Sequence, residues 1–360
     1  MDSAHVTDVA SRYANFGTYE VRGRNPVYSA WAEGVAEDPE ISALISELPP
    51  LRRQPVLLFA AARFAGAAES TDYPEFREFL RGHWARVAEI AMTHSTQTNE
   101  AKRTACLLPF FSAAAASSAR AGTVSLVEAG ASAGLCLYPD RYHFRYRTEG
   151  SDQVTEIGAT PRPPSPSTLD DDGGVSSPAP VLDCDVRGMI APPRALPEVL
   201  WRGGVDLNPL DPADPDNREW LKALIWPGQP ERAERLALAL DIAAAEPAHI
   251  LAGDLVERTG EAVAAARKAA PDTTPVVFHT AVLAYLEPGD REKFSDTMRE
   301  LSRDYGAVWI ANEGVTILPR VAEKVPPAVR KNKGIFVIAV NETPLATTHG
   351  HGDWVRSLEP

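Results

Sequence analysis

Only three cysteines occur in 360 residues, Cys106, Cys136 and Cys184, far apart and outside any CxxC. That excludes a disulfide framework and a cysteine zinc cluster, and it suits a reducing compartment. Basic charge is scarce too: 36 Lys and Arg against 49 Asp and Glu leave a formal net charge of −13, with no basic run and no interleaving of basic and aromatic residues. Nucleic acid is therefore not an expected partner. Long apolar runs are missing. The longest, residues 56–68, is interrupted by Arg63 and too short to span a bilayer. The segment MDSAHVTDVASRYANF lacks the basic and apolar regions of a secretory leader. The expectation is a cytoplasmic protein with no membrane partner; nothing in the sequence specifies its oligomeric state.

The stretch around which the chain is organised is TVSLVEAGASAGL, from Thr123 to Leu135. Strand-forming residues run to an acid, Glu128, and then into Gly130, Ala131, Ser132, Ala133 and Gly134, a turn with almost no side chain. Small residues after a strand let a ligand approach backbone at the carboxyl edge of a parallel α/β sheet, where the next helix offers N–H groups. A dinucleotide fingerprint wants GxGxxG, but Gly130 and Gly134 bracket Ser132 with a different spacing, which makes NAD(P) the weaker reading. A tight strand-to-helix connection with no ligand gives the same pattern.

Before this turn the chain reads as helices. Pro26 to Leu48, Gln54 to Gly66 and the run from Asp72 carry apolar residues at helical spacing, with Pro49 and Pro50 as breakers. On the last of these Phe76, Phe79, Leu80, His83, Trp84, Val87 and Ile90 share one face, which makes His83 a core histidine. A further helix follows THSTQTNEAKR, capped by Thr98 or Asn99. Gln97, Asn99, Glu100 and Arg103 are more polar groups than a cap requires. They read either as a capped surface helix or as a polar wall facing the crevice. Residues 1–120 are thus expected to form a helical cap or substrate domain, and 121–360 a Rossmann-like domain.

After the turn DRYHFRYR alternates with period two, and PVLDCDVRG is its expected partner across a Ser-, Pro-, Asp- and Gly-rich loop. Together they form an inserted β-hairpin at about 141–200. The sheet then resumes at GVDLNPLD, ending at Asp206. AHILAGD ends at Asp254, PVVFHT near His279 and Thr280, and GAVWIANEG at Asn312 and Glu313, with helices between them. GIFVIAVNETPLATTHGHGDWVRSL adds two consecutive strands with no helix, an antiparallel ending.

ExGxxxG at Glu128, Gly130 and Gly134 resembles motif I of class I S-adenosylmethionine (SAM) methyltransferases, with Ser132 for the middle glycine. Five parallel strands closed by an antiparallel hairpin are similar to their seven-stranded, mostly parallel, doubly wound sheet. The succession QTNE, VEAGASAGL, DRYHFRY, GVDLNPLD, VFHTAVLAYL, WIANEG and a histidine-glycine segment also resembles an uncharacterised bacterial family, domain of unknown function 2332, over nearly the whole chain. That family implies no reaction. The methyltransferase likeness implies SAM as cofactor, its methionine end against Gly130, Ser132 and Gly134 with Glu128 beneath. It also implies Asp206 on the ribose hydroxyls, Asp254 on the adenine amine, and Leu207 and Leu255 as apolar covers. Carboxylates suit those donors. The ribose acid usually follows the turn by about twenty residues, far fewer than separate Asp206 from it; either the insertion explains this, or Asp183 or Asp185 holds the place.

The expected activity is methyl transfer from SAM to a small polar molecule. Gln97, Asn99, Arg103, Tyr285 and Glu313 are expected to line the acceptor pocket, with His279 or Glu100 as base. Three alternatives stay open: attack at another SAM carbon, giving aminocarboxypropyl transfer or cyclisation; a non-catalytic SAM-binding or scaffold protein; and an NAD(P)-dependent oxidoreductase. His349, His351 and Asp353 in THGHGD lack HxxxH spacing and any further ligand, and a glycine-rich turn explains them, so no metal is expected. Ser132 sits in no GxSxG elbow.

Overall fold

The structure is a computed structural model and describes residues 3–97, 99–158, 179–332 and 334–358. Two compact units divide the chain: residues 1–98 with 214–234, and residues 99–213 with 235–360.

The first unit is helical: α1 (Ser3–Phe16), α2 (Pro26–Glu37), α3 (Pro39–Ser46), α4 (Pro55–Phe64), α5 (Tyr73–Thr93) and, from the later segment, α7 (Pro215–Ala223). Local chemistry sets the starts. Asn25 caps α2 and Asp38 caps α3 by accepting first-turn N–H groups, each followed by proline at the first helical position. The core is aromatic: Trp31 stacks on Phe76 at 3.8 Å between ring centroids, and Phe59 meets both edge-on. Arg63 draws residues 214–234 into this unit by donating to the carbonyls of Ala223 and Ile225. Asn25 donates to Pro227 O at 2.7 Å. His83 is a correction: it is exposed, stacked on Phe79, with its ring nitrogen 3.0 Å from Phe79 O.

The second unit is α/β, built on one mixed sheet of eleven strands rather than seven. Five of them form the parallel block expected from the sequence: β1 (Thr123–Ala129), β5 (Glu198–Asp206), β6 (His249–Ala252), β7 (Thr274–Thr280) and β8 (Val308–Gly314), in the spatial order β6-β5-β1-β7-β8. The chain therefore winds outward from β1 in one direction and returns to start again on its other side. The reversal falls between β1 and β7, and a crevice at the carboxyl ends of those strands is where such sheets take ligands.

The other six strands extend the sheet past β8. β2 (His143–Thr148), β3 (Val154–Gly158) and β4 (Val181–Arg187) come from the insertion; β9 (Phe336–Val340), β10 (Thr343–Thr348) and β11 (Trp354–Ser357) form the ending. The expected hairpin of DRYHFRYR with PVLDCDVRG is overturned: β2 and β4 run parallel, and β2 pairs antiparallel with β3 instead. The connection after β2 is long enough to carry the chain back to its start, as a parallel pair needs. Most of the expected loop, residues 159–178, lies outside the described residues. The ending is antiparallel in three strands, β9-β10-β11, with Asn341 and Glu342 both at positive φ in the first turn. β11 then pairs with β4 in parallel and makes the insertion part of the same sheet.

Helices cover both faces of the parallel block. On one, Val127, Ala129, Val277, Trp309 and Ala311 pack with α9 (Leu255–Ala269) and α10 (Pro288–Tyr305). On the other lies α6 (Arg103–Ala116), whose Phe111 meets Phe278 at 5.0 Å between centroids. Because α6 packs on β1 and β7, it belongs to the sheet unit and not to the helices before it. The remaining helices are α8 (Pro230–Ala245), whose residues from Arg235 on lie in this unit, α11 (Pro319–Lys324) and α12 (Pro327–Arg330). No helix among the described residues is long and apolar enough to cross a membrane.

One core detail is testable. The Tyr13 hydroxyl is buried beside Phe59 with no hydrogen-bond partner among the described residues, and burial drives its pKa well above the ordinary tyrosine value. Removing an unsatisfied buried hydroxyl while keeping the ring should stabilise the protein by roughly 1 kcal/mol. Urea melts of Tyr13→Phe check this; a loss of stability would mean the hydroxyl is bonded.

Candidate functional site

The turn after β1 is held by its own backbone and by two side chains. Gly130 and Ala131 donate their N–H groups to Val205 O, and Ser132 N–H reaches Asp206 Oδ2 at 2.8 Å. Gly134 N–H turns back to Ala131 O, while Asn99 accepts from Leu135 N–H at 3.1 Å and donates to Ala131 O at 2.6 Å. No long helix follows: Pro139 leaves only two three-residue 3₁₀ turns, Leu135–Leu137 and Pro139–Arg141. The expected helix with N–H groups open to a ligand is absent here. Gly130 is also explained locally, since φ is +77° and an added Cβ would stand 2.4 Å from Val282 Cγ2.

Glu128 is the unusual group. Its backbone registers with Phe278 of β7, so its side chain points to the α6 face. It is 3% exposed, and Oε2 has no hydrogen-bond partner among the described residues. Burial drives the carboxyl well above the usual range, opposed by the Arg103 charge and reinforced by Asp206. Thr280 lies two residues beyond Phe278 on the same face, and its buried Oγ1 is likewise unpartnered among the described residues. Arg103, at the start of α6, donates from Nε to Gly350 O at 2.9 Å and from Nη1 to Thr280 O at 3.4 Å. A carboxyl, a hydroxyl and a guanidinium therefore gather under the first turn of α6 at the β1/β7 reversal.

The acids at the next strand ends are partly committed. Asp206 accepts from Ser132 and Asn208 N–H, with Leu207 beside it 74% exposed. Asp254 caps α9 through Oδ1, bonded to Val256 N–H at 2.7 Å, and Oδ2 accepts nothing among the described residues. Leu255 is buried in the core under α9 and offers no surface to a ligand. Asp183 and Asp185 pair with Arg145 at 2.8 Å and Arg147 at 3.0 Å in a ladder between β2 and β4, strands that lie beyond β8 and away from the β1/β7 reversal.

His279 and Glu313 lie on the opposite face from Glu128, the face of Val277 and Ala311. Both imidazole nitrogens are engaged: Nδ1 donates to Glu313 Oε1 at 2.8 Å, and Nε2 accepts from the Trp309 indole at 2.9 Å. The same Glu313 oxygen accepts from Val282 and Leu283 N–H, holding the loop after β7, where Ala281 sits at positive φ. His279 is thus a buried spacer with no nitrogen left for an acceptor. Glu313 Oε2 is buried without a partner among the described residues. Tyr285 projects into solvent, 70% exposed.

Within QTNE, Gln97 belongs to the first unit, Asn99 ties the glycine turn, and Glu100 is buried and paired with Arg235 at 3.2 Å. Of the expected caps, Thr98 lies outside the described residues and Asn99 is spent on the turn, while Lys102 holds the N-cap position of α6 with no side-chain capping bond. The histidine-glycine segment latches onto the same helix. Asp353 pairs with Lys102 and, at 2.7 Å, with His349, while a Cβ on Gly352 would stand 2.3 Å from Lys102 O. Among the described residues no group of three or more His, Cys, Asp or Glu could hold a metal. Trp309 and Lys102 do not stand out in the sequence, and Thr280 reads only as a strand end. Period-two alternation would have put Trp309 on the face of His279; nothing marked the Thr280 hydroxyl as unpaired.

A doubly wound α/β protein with a polar cluster at its topological reversal is the class these features define. The chain matches, over residues 10–357, a family described as an uncharacterized protein conserved in bacteria (DUF2332), and it belongs to that family. No curated protein and no solved structure matches it.

Two predictions follow from the titrating groups. The His349 hydrogen bond holds the Asp353 carboxyl well below the usual range, against partial burial and with Lys102 helping. Its contribution is present above the unfolded carboxylate pKa and lost as pH falls through the folded value. Asp353→Asn should therefore lower stability at pH 7 by about 0.5–1 kcal/mol, as expected for a half-exposed pair, and the deficit should shrink below about pH 4. Glu128 has the opposite sign: with its pKa raised, the native protein loses stability as pH climbs from the ordinary carboxylate range toward the folded value. Glu128→Gln should flatten that slope and stabilise by roughly 1–3 kcal/mol near neutrality. Denaturant melts across pH read both; an unchanged slope in Glu128→Gln would mean the carboxyl is paired.

Proposed function

We propose that this protein is a SAM-dependent methyltransferase acting on a small polar molecule. The observation that carries the reading is the strand order β6-β5-β1-β7-β8, with an acid at or just beyond the ends of β1, β5 and β6. The donors and acceptors fit in part. The ribose hydroxyls and the adenine amine are donors; carboxylates suit them, and Asp206 stands beside the turn at the end of β5 while Asp254 Oδ2 accepts nothing among the described residues, with exposed Leu207 able to cover a flat ring. The N–H groups of Gly130, Ala131, Ser132, Gly134 and Leu135 are spent on the fold, so recognition of the methionine end falls largely to side chains, Glu128 among them. SAM supplies an already activated methyl carbon. The protein's own work is then alignment in a dry pocket, with a base needed only for a protonated acceptor. His279 has no free nitrogen for that role. Glu100 could take it only by giving up Arg235.

Calorimetry with SAM, S-adenosylhomocysteine and NAD(P) tests the reading. SAM and S-adenosylhomocysteine should bind, and Asp206→Ala and Asp254→Ala should each weaken both by about tenfold or more. Heat with NAD(P) alone would make the protein an oxidoreductase. Heat with none would favour a scaffold, the reading that the engagement of most turn amides supports. Methyl-labelled SAM with a metabolite extract then separates the chemistries: label in a small product means methyl transfer, whereas unlabelled methylthioadenosine means attack at another SAM carbon.

A further inference from the structure

α6 opens with two adjacent cations, Lys102 and Arg103, where the aligned peptide dipoles already place partial positive charge. Such an arrangement is unfavourable unless anions compensate it. Asp353 does so for Lys102. Arg103 pairs with no carboxylate among the described residues: Nε and Nη1 are fixed on the carbonyls of Gly350 and Thr280, and Nη2 donates to nothing among them. Beneath it the Thr280 hydroxyl, 8% exposed, and Glu128 Oε2 are both buried without partners among the described residues. The guanidinium is therefore oriented by two neutral acceptors and left with its charge and one nitrogen unused.

We propose that Arg103 Nη2 and the Thr280 hydroxyl form a subsite for a carboxylate of the small-molecule substrate, which makes the acceptor a small carboxylic acid. The inference rests on the transferase reading for the word acceptor, but not for the subsite. A carboxylate matches the site in three ways. Its charge compensates Arg103 and the α6 dipole. Its two oxygens take one N–H and one O–H donor, and charge-assisted bonds of this kind are the stronger ones. Burial raises the pKa of the neighbouring Glu128 carboxyl, which weakens its repulsion of a second carboxylate.

The test uses the full chain and ligand-observed NMR with calorimetry, taking acetate, benzoate and N-acetylglycine as probes against acetamide, benzamide and N-acetylglycinamide. At least one acid should bind where its amide does not. Arg103→Gln should weaken that binding by about tenfold or more, and Thr280→Val by several-fold, with SAM affinity unchanged in both. Thr280→Val removes one hydroxyl without touching the Arg103 anchors, so it keeps the test decisive if Arg103→Gln melts early. Equal binding of acids and amides, binding by none of the acids, or full acid affinity in both variants would overturn the proposal. A fall in SAM affinity with Arg103→Gln would overturn it too, because the guanidinium would then serve the cofactor. Arg103-dependent acid binding in a protein that ignores SAM would leave the subsite standing and remove the methyltransferase reading.

Discussion

The carboxyl edge of the sheet depends on how the backbone of the turn after β1 is satisfied. A chain leaving a central strand without entering a long helix exposes a run of N–H groups, and buried ones must find acceptors. Here Val205 O, Asp206 and Asn99 supply them from three directions. The last two are thereby drawn to one place, although Asn99 precedes the turn in sequence and Asp206 follows a long insertion. Once the turn is fixed, Gly130 admits Val282, and the loop after β7 can close down on Glu313.

The same constraint separates the polar residues of this edge into two groups. One side holds the structure: His279 between Glu313 and Trp309, Glu100 on Arg235, and Asp353 between Lys102 and His349. The other side is unfinished. Under α6 Glu128 and Thr280 are buried with open valences and Arg103 has no carboxylate partner among the described residues, while on the opposite face Glu313 Oε2 is likewise unpartnered among them beside its bonded Oε1. Buried polar groups without partners cost free energy. Their gathering at the strand-order reversal, where such sheets take ligands, gives that cost a use.

Much of this was legible from residue order. Short apolar runs bounded by turn residues located all five parallel strands, because strands buried on both faces read that way. The sheet's size was not legible. Strand pairing across a long connection is set by tertiary contact, and nothing in HFRYRT or VLDCDVR distinguishes a parallel from an antiparallel neighbour. Their matched charges, Arg145 with Asp183 and Arg147 with Asp185, suit either direction. Residue type exposed Glu128, Asp206 and Asp254 as candidates. It could not tell that Leu255 turns into the core, that His279 spends both nitrogens, or that Asn99 holds the turn and not the helix start. Those outcomes depend on which face a strand residue takes and on what lies across from it.

The central claim is that the carboxyl edge around β1, β5 and β7 is the ligand site. Hydrogen–deuterium exchange followed by mass spectrometry, with and without S-adenosylhomocysteine, tests it most directly, since bound ligand slows local opening where it binds. The account predicts slowed exchange in peptides covering residues 128–135, 206–208 and 254–256, with the outer strands β2 to β4 unchanged. Slowed exchange confined to β2 to β4 or to the helices of the first unit, or no change anywhere, would contradict it.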